Sequence, residues 1–263
     1  MTKRLRRILM LIWLNLLAVY VLIQYSCYII SKQMLDIKST ETIIIERIKP
    51  ETEYITEYIT VEVVKDADTS KYITLQLKFN NIEQNPELPT GCEVTALTST
   101  LNYFGYDIDK LTLADSYLPK GEIGKTHPNE AFIGNPRSKH SYGAYAPVIT
   151  ETANTYLKEV NSKYKAYNIS GNDFSELTKY LYNGYPVIIW ATMNMSQSYL
   201  TTKWNLKTGE FQWRANQHCL VLVGFTEDDY IIADPLKKGL TYYDKDLVEK
   251  RYNELYKQAV VIY

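Results

Sequence analysis

Cysteine and histidine are scarce in this chain, and their scarcity limits the sites that it can build. The 263 residues include three cysteines and three histidines. An odd number of cysteines leaves at least one thiol unpaired, and three cannot form a disulfide framework. Their spacing also matches no zinc-binding pattern. With only eleven glycines and nine prolines, the chain is neither collagen-like nor of low complexity.

The chain also lacks a surplus of charge of either sign. The net charge is −1, with 46% hydrophobic and 22% charged residues. This composition is typical of a folded globular protein. It excludes a general binder of polyanions, and no basic, aromatic-rich patch indicates a nucleic-acid partner. No G-x-x-x-x-G-K-[ST] motif is present, so the sequence predicts no ATP-binding domain in this chain.

The N-terminal segment 1–30 has the pattern of a membrane anchor. Its four charged residues are all basic and precede Ile8–Ile30, an uncharged run of 23 residues. As a helix rising about 1.5 Å per residue, this run covers the roughly 30 Å hydrocarbon core of a bilayer. The basic flank predicts a single-pass signal anchor in the cell membrane, with a cytoplasmic N-terminus and an extracellular remainder. Two alternatives stay open: a cleaved signal peptide, although no A-x-A-like site is evident, and a lipid-modified Cys27.

Residues 31–75 are predicted to form an extended stalk. They are rich in Thr, Ile, Val, Tyr and Glu, and a TEYI unit repeats in tandem over Thr52–Ile59. β-branched and aromatic residues favour extended backbone. Two repeats are too few for a solenoid. The alternative is that Ile55–Val64 adds an edge strand to the following domain or to a second chain.

Residues 76–263 are predicted to form one α+β domain, because helical patterns come first and strand-like runs later. The stretch 119–147, rich in glycine and proline, is predicted to be a long functional loop. Helices are predicted near residues 92–105, 111–118, 148–160 and 173–182, the last with Asn172 as its cap, and strands at 73–80, 186–193, 218–225, 230–236 and 258–263.

Cys92 stands at the predicted junction of a loop and a helix. The dipole and the N–H groups of a helix N-terminus favour a thiolate there, so the sequence predicts a lowered pKa and a nucleophile. Gln84, eight residues upstream, is a candidate oxyanion donor beside the Cys92 backbone N–H. A lone cysteine at a helix start is also a common buried core residue, and both interpretations stay open.

Only a histidine suits the role of general base, and His218 is the one that opens an apolar run. His127 and His140 lie in the glycine-rich loop. A short turn after the run of His218 leads to the run that ends at Asp234, so antiparallel pairing brings Asp234 back beside His218. A carboxylate there fixes the tautomer and orientation of the imidazole. A core histidine and a turn aspartate are the structural alternatives.

The order Cys, His, Asp is that of papain-like enzymes, and longer segments resemble one family of them. They are QNPELPTGCEVTALTSTLNYFGYDIDKL, HPNEAFIGNP, SYGAYAP, GYPVIIW, HCLVLVGF and IIADPL, within residues 78–262. These segments resemble papain-like (clan CA) cysteine peptidases, in a stand-alone form of the group related to bacteriocin-processing double-glycine leader peptidases.

The resemblance implies a papain-like fold, with Cys92 as nucleophile, His218 as base, Asp234 orienting His218, and Gln84 serving the oxyanion. It implies no metal or organic cofactor. Cys219 is predicted to be a core residue, with a disulfide to Cys92 as the alternative.

The function predicted from these residues is that of a membrane-anchored extracellular thiol peptidase acting on a peptide or protein at the cell surface. It would hydrolyse amide bonds through an acyl-enzyme. The alternatives are a catalytically silent surface binding module and a cell-wall amidase or transpeptidase of the same fold. Transporter-linked members of the group carry several spans and a nucleotide-binding domain, which this sequence does not.

Overall fold

The sheet at the centre of the fold is antiparallel throughout. The structure is a computed structural model that describes residues 73–263. The described strands are β1 (Ile73–Gln76), β2 (Lys120–Gly121), β3 (Phe132–Ile133), β4 (Ala166–Asn168), β5 (Val187–Thr192), β6 (Tyr199–Leu206), β7 (Gly209–Ala215), β8 (Gln217–Thr226), β9 (Asp229–Ala233), β10 (Leu240–Asp244) and β11 (Ala259–Ile262). Seven of them form this sheet in the order β10-β9-β8-β5-β11-β4, with β1 pairing with β8.

Helices cover both faces of this sheet. The described helices are α1 (Cys92–Tyr103), α2 (Lys110–Ser116), α3 (Ala146–Glu159), α4 (Phe174–Tyr182) and α5 (Lys245–Glu254), with a short 3₁₀ turn at Met193–Met195. Two of them begin at an aspartate whose side chain accepts backbone N–H groups: Asp109 before α2 and Asp244 before α5. Such caps satisfy donors that the first turn leaves unpaired.

Strand β8 divides the hydrophobic core into two layers. Because successive side chains of a strand point to opposite faces, Cys219 and Val221 pack with α1 and α3, while Leu220 and Leu222 pack with α4 and α5. All of these residues are buried. A strand covered on both faces has no polar alternation, which explains why it appears in the sequence as an uninterrupted apolar run.

Gly224 shows how closely β1 approaches this central strand. A Cβ built at Gly224 would lie 2.4 Å from the backbone oxygen of Leu75. Only glycine fits there without moving β1, and the pairing of β8 with β1 is irregular between Ile73 and Leu75. Since β1 leads directly to the loop before Cys92, this contact helps to fix that loop.

The predicted α+β class and antiparallel sheet are confirmed, and the predicted helices and strands lie close to the observed ones. The predicted cap of α4 is wrong. Asp173 occupies the N-cap position, while Asn172 Nδ2 donates to the Ile169 carbonyl. The stretch 119–147 contains the short parallel strands β2 and β3. The hairpin β6–β7, which pairs with no other described strand, was not predicted.

The predicted anchor (1–30), most of the predicted stalk (31–72), the alternative edge strand Ile55–Val64 and Cys27 lie outside the described residues. Within residues 73–263, no helix has the length and apolar character needed to cross a bilayer. Strand β1 begins at Ile73, so the described part of the chain starts directly with the sheet.

Candidate active site

Cys92 is the first residue of α1, as the sequence predicts. The preceding loop turns tightly at Gly91, where a Cβ would lie 2.8 Å from the Leu88 Cβ. The first intrahelical bond runs from the Thr95 N–H to the Gly91 carbonyl, so the N–H of Cys92 belongs to the unpaired first turn. The Cys92 side chain is 8% exposed.

The thiol of Cys92 lies between a carboxylate and a backbone donor. Its Sγ donates to Glu93 Oε2 at 3.3 Å and accepts from the Cys219 N–H at 3.4 Å. Burial, followed by the negative charge of Glu93, raises the pKa of Cys92 well above its ordinary value. This differs from the lowered pKa that the sequence predicts, because desolvation and Glu93 outweigh the helix dipole. Both effects favour the neutral thiol in the resting site.

His218 and Asp234 form a buried pair, as the sequence predicts. His218 Nε2 lies 2.6 Å from Asp234 Oδ1, and both side chains are almost fully buried. Asp234 also accepts from the Leu236 N–H at 2.8 Å and from the Tyr243 hydroxyl at 3.1 Å. Burial favours a higher pKa for Asp234, but the hydrogen bond and charge of His218, with the other donors, lower it. An ionised Asp234 accepts the Nε2 proton of His218.

A cavity of about 300 Å³ brings the predicted residues together. Gln84, Cys92 and His218 all line it, and Asp234 lies behind His218. The remaining walls come from the loop before Cys92, the loop before α3, the hairpin and the segment after β9: Pro89, Thr90, Ser141, Tyr142, Met193, Thr201, Trp213, Ala215, Asn216, Gln217 and Leu236. The cavity therefore has the size of a substrate cleft around the thiol.

Gln84 reaches the cavity, but its donor group is engaged. Its Nε2 donates to the carbonyls of Leu88 at 3.2 Å and Pro89 at 3.0 Å. Its Oε1 is buried and has no hydrogen-bond partner among the described residues. Gln84 therefore holds the loop that leads to Cys92, and its amide must rotate away from these carbonyls to donate to an oxyanion.

The cysteine Cys219 is a core residue, as predicted. Its side chain projects from β8 into the core layer that contains α1 and is fully buried. Both Cys92 and Cys219 carry free thiols. The disulfide alternative is therefore absent from this structure. Of the other histidines, neither His127 nor His140 lines the cavity at Cys92.

Glu93 has a larger part in the site than the sequence indicates. Its Oε1 accepts from the Ala144 N–H at 2.9 Å and from Gln217 Nε2 at 3.2 Å, while its Oε2 accepts from the thiol. A Cβ at Gly143 would lie 2.3 Å from Oε1, so only glycine leaves room. Glu93 thus ties α1 to the loop before α3 and to Gln217, the residue next to His218.

Tyr243 was also missed by the sequence analysis, because its contact with Asp234 depends on the pairing of β10 with β9.

Replacement of Glu93 by glutamine is expected to increase the reactivity of Cys92. The substitution removes the like charge that raises the thiol pKa, so the thiolate fraction at neutral pH increases. We expect iodoacetamide to alkylate Cys92 several-fold faster at pH 7 in Glu93→Gln, with the rate profile displaced to lower pH. Peptide mapping by mass spectrometry separates Cys92 from the other cysteines. A matched exposed change, Glu176→Gln, is the control; equal rates in all three proteins would contradict the assigned charge effect.

Comparison with known proteins gives consistent results. Residues 76–260 match the model of the Peptidase_C39 like family. The protein YvpB of Bacillus subtilis strain 168, itself uncharacterized, is 28% identical over 216 residues, covering 76% of this chain and 84% of YvpB. The crystal structure of a candidate C39-like peptidase from Bacillus anthracis superposes with a TM-score of 0.64 at 30% identity, covering 74% of this chain and 98% of that chain. A double glycine motif protease from an AMS/PCAT transporter, solved with the leader peptide, gives a TM-score of 0.43 at 16% identity, covering 74% of this chain and 98% of that chain.

Proposed function

The chain belongs to the Peptidase_C39-like family, and from this premise we propose that it is a cysteine peptidase that uses Cys92, His218 and Asp234. The family and the fold support a peptidase, and the predicted resemblance to a stand-alone papain-like member agrees with them. The observation that carries the proposal is local. The Cys92 thiol, at the start of α1, accepts a hydrogen bond from the backbone N–H of Cys219, the residue after His218. His218 in turn forms a buried pair with Asp234, and the thiol and the imidazole line one cavity.

The hydrogen bond to Asp234 determines which nitrogen of His218 acts as base. Because the ionised carboxylate accepts the proton on Nε2, the lone pair of Nδ1 serves the thiol. The S–H bond points to Glu93 Oε2 in this structure and must first rotate toward Nδ1. Nδ1 then takes the thiol proton as Sγ attacks the substrate carbonyl carbon, and the carbonyl oxygen takes the displaced electron pair. The N–H of Cys92 in the first turn of α1 donates to this oxyanion, and Gln84 joins it when its amide rotates.

Collapse of this intermediate breaks the carbon–nitrogen bond, and the proton on Nδ1 passes to the leaving amine. Water then attacks the thioester and Nδ1 takes its proton. The carbon–sulfur bond breaks to release the acid, and the proton passes from Nδ1 to Sγ to restore the thiol. The raised pKa of Cys92 favours the neutral thiol before the substrate binds. In this mechanism, His218 acts as the general base that removes the thiol proton.

We place this domain outside the cell, anchored by the N-terminal segment. The proposal rests on the four basic residues before Ile8–Ile30 and on the uncharged character of that run. Peptides or proteins at the cell surface are then the substrates. The acyl-enzyme can pass to water or to an amine, so hydrolysis and transpeptidation share the same first step.

A cleavage assay with the full chain tests the proposed function. The protein is incubated with a diverse peptide mixture, and new N-termini are mapped by mass spectrometry. We expect cleavage that is lost after exhaustive alkylation of Cys92 and is unaffected by a metal chelator. Release of cell-wall fragments without peptide cleavage would favour an amidase. Binding of peptides without cleavage of peptides or of cell wall would favour the silent binding module and overturn the proposal.

A further inference from the structure

A second, larger cavity shares the β6–β7 hairpin with the cavity at Cys92. Its volume is about 650 Å³. Trp213 lines the cavity at Cys92, whereas its neighbours Gln212 and Arg214, together with Phe211, line the second cavity. The hairpin therefore contributes to the linings of both cavities. None of the residues assigned to the chemistry of Cys92 lines the second cavity.

Aromatic side chains form much of the lining of this second cavity. The His127 ring meets Phe211 edge-on at a centroid distance of 4.7 Å, and Tyr145 lies 6.4 Å from Phe211 and 6.0 Å from Tyr256. Leu200, which is half exposed, adds apolar surface at the mouth. Such walls favour a ligand with an apolar or aromatic body.

Two donors on this cavity have unsatisfied hydrogen-bonding capacity. The Tyr145 side chain is 5% exposed, yet its hydroxyl has no partner among the described residues. Arg214 donates one N–H to Ser198 Oγ at 3.0 Å, while its buried Nε also lacks a described partner. A buried polar group without a partner is uncommon in folded proteins. A ligand that carries acceptor oxygens would satisfy both donors.

The charge of Arg214 is also not neutralised by a direct ion pair among residues 73–263. The nearest carboxylate in its hydrogen-bond network, Glu254, accepts from Ser198 at 2.7 Å and pairs with Arg251. The guanidinium lies 5.8 Å from the centre of the Tyr256 ring. On the rim, Glu210 is already paired with Lys203 at 2.8 Å. The interior of the cavity is therefore left with one net positive group.

Helix α3 adds to this positive character. Tyr145 is its N-cap residue and makes no side-chain cap, and Pro147 in the first turn has no N–H. The Ala146 N–H donates to Gln258 Oε1, which also belongs to the lining. The positive end of a 14-residue helix dipole thus lies at the cavity beside Arg214.

We propose that this second cavity binds a carboxylate carried on an apolar body. Arg214 and the Tyr145 hydroxyl donate to the carboxylate, and the rings of Phe211 and Tyr256 hold the apolar part. The carboxylate has two sources with the same chemistry: the C-terminal residue of a peptide and a small free organic acid. The Tyr145 ring stacks on Trp213 with a centroid distance of 5.9 Å and an interplanar angle of 15°. An occupant that contacts Tyr145 therefore touches a ring that packs against the Trp213 wall of the cleft at Cys92.

Equilibrium binding to the full chain tests the proposal without any catalytic turnover. The probes are N-acetyl-phenylalanine and its neutral amide, compared by isothermal titration calorimetry. We expect the acid to bind and the amide to bind at least about tenfold more weakly, since a charge-assisted hydrogen bond is lost. A tripeptide that ends in phenylalanine with a free carboxylate identifies the source: tighter binding than the single residue indicates a peptide, and weaker binding a small acid.

Matched variants locate the binding. Arg214→Gln is expected to weaken binding of the acid at least about tenfold, and Tyr145→Phe to weaken it less. Lys179→Gln removes a positive charge from the exposed surface of α4, away from the cavity lining, and should leave the affinity unchanged. Thermal melting checks that each variant is folded. The proposal is overturned if acid and amide bind equally, if Arg214→Gln binds as tightly as Lys179→Gln, or if the acid does not bind at millimolar concentration.

Discussion

Replacement of Cys92 by serine is expected to lower kcat/KM for peptide cleavage by at least about 1,000-fold. A hydroxyl is a far weaker acid and a poorer nucleophile than a thiol, so His218 removes its proton less readily. Glu93 lies 3.3 Å from the attacking atom and further opposes negative charge there. Serine fills nearly the same volume, so the fold should persist. Steady-state kinetics on a cleaved peptide and a thermal melt provide the two measurements.

Cys219→Ala is the matched control for this loss. The Cys219 side chain packs in the core, and the hydrogen bond from this residue to Cys92 comes from its backbone N–H, which alanine keeps. We expect some loss of thermal stability from the cavity that it leaves, with kcat/KM near the wild-type value. Peptide cleavage that survives in Cys92→Ser, or that disappears equally in Cys219→Ala, would contradict Cys92 as the nucleophile.

Replacement of Asp234 by asparagine is expected to lower kcat about 100- to 10,000-fold with a smaller change in KM. The amide can present N–H to His218 Nε2, which stabilises the tautomer with its proton on Nδ1. That tautomer has no lone pair facing the thiol, so the general base is lost although the ring remains in place. Kinetics at fixed pH, with alkylation of Cys92 as a second readout, measure the effect.

Tyr243→Phe provides a graded comparison. It removes one donor at 3.1 Å from Asp234 Oδ2 and leaves the carboxylate and its bond to His218. We expect a loss of a few-fold in kcat, well below that of Asp234→Asn. Equal losses in the two variants would mean that the aspartate acts only through local packing.

The same aspartate gives a pH dependence of stability whose sign follows from its lowered pKa. A carboxylate whose pKa is lower in the folded state stabilises the fold above its unfolded pKa of about 3.9, and this stabilisation is lost as the pH falls through the folded value. Asp234→Asn should therefore melt at a lower temperature than wild type at pH 7, and the difference should shrink in acid. Melting temperatures from pH 3 to pH 7 measure this change.

The residues of the site that lie near regular elements were predictable. Cys92 follows a glycine and opens a helical pattern, and His218 and Asp234 flank two apolar runs joined by a short turn. Each of these features depends on neighbours close in the sequence. The pairing of β8 with β9 then determines the contact, with Val221 opposite Ala233. The fold class could be predicted for the same reason.

The features that were missed depend on contacts between distant segments. Glu93 acquires its role from Ala144 and Gln217, which lie 51 and 124 residues away. The raised pKa of the thiol follows from burial, which no local pattern reports. Gln84 is close to Cys92 in sequence, but only the folded loop shows that its amide donates to the Leu88 and Pro89 carbonyls.

The hairpin β6–β7 was missed for a different reason. Strand β6 is largely exposed and shows no regular alternation of polar and apolar residues, and its pairing with β7 shifts register between Leu200 and Lys203. Residues 210–215 in β7 do alternate between polar and apolar, so that half of the hairpin carried a strand signal that the prediction did not use. Its aromatic residues pack against one another and against Tyr142 and Tyr145 as a small separate cluster.

The point where this hairpin joins the sheet allows recognition to diversify without altering catalysis. Thr192 at the end of β5 and Gln217 at the start of β8 are direct partners in the ladder, so residues 193–216 leave and re-enter the sheet at a single rung. A replacement segment of different length can be grafted between these two residues without shifting the register that holds His218. One exchange would then redesign the walls of both cavities.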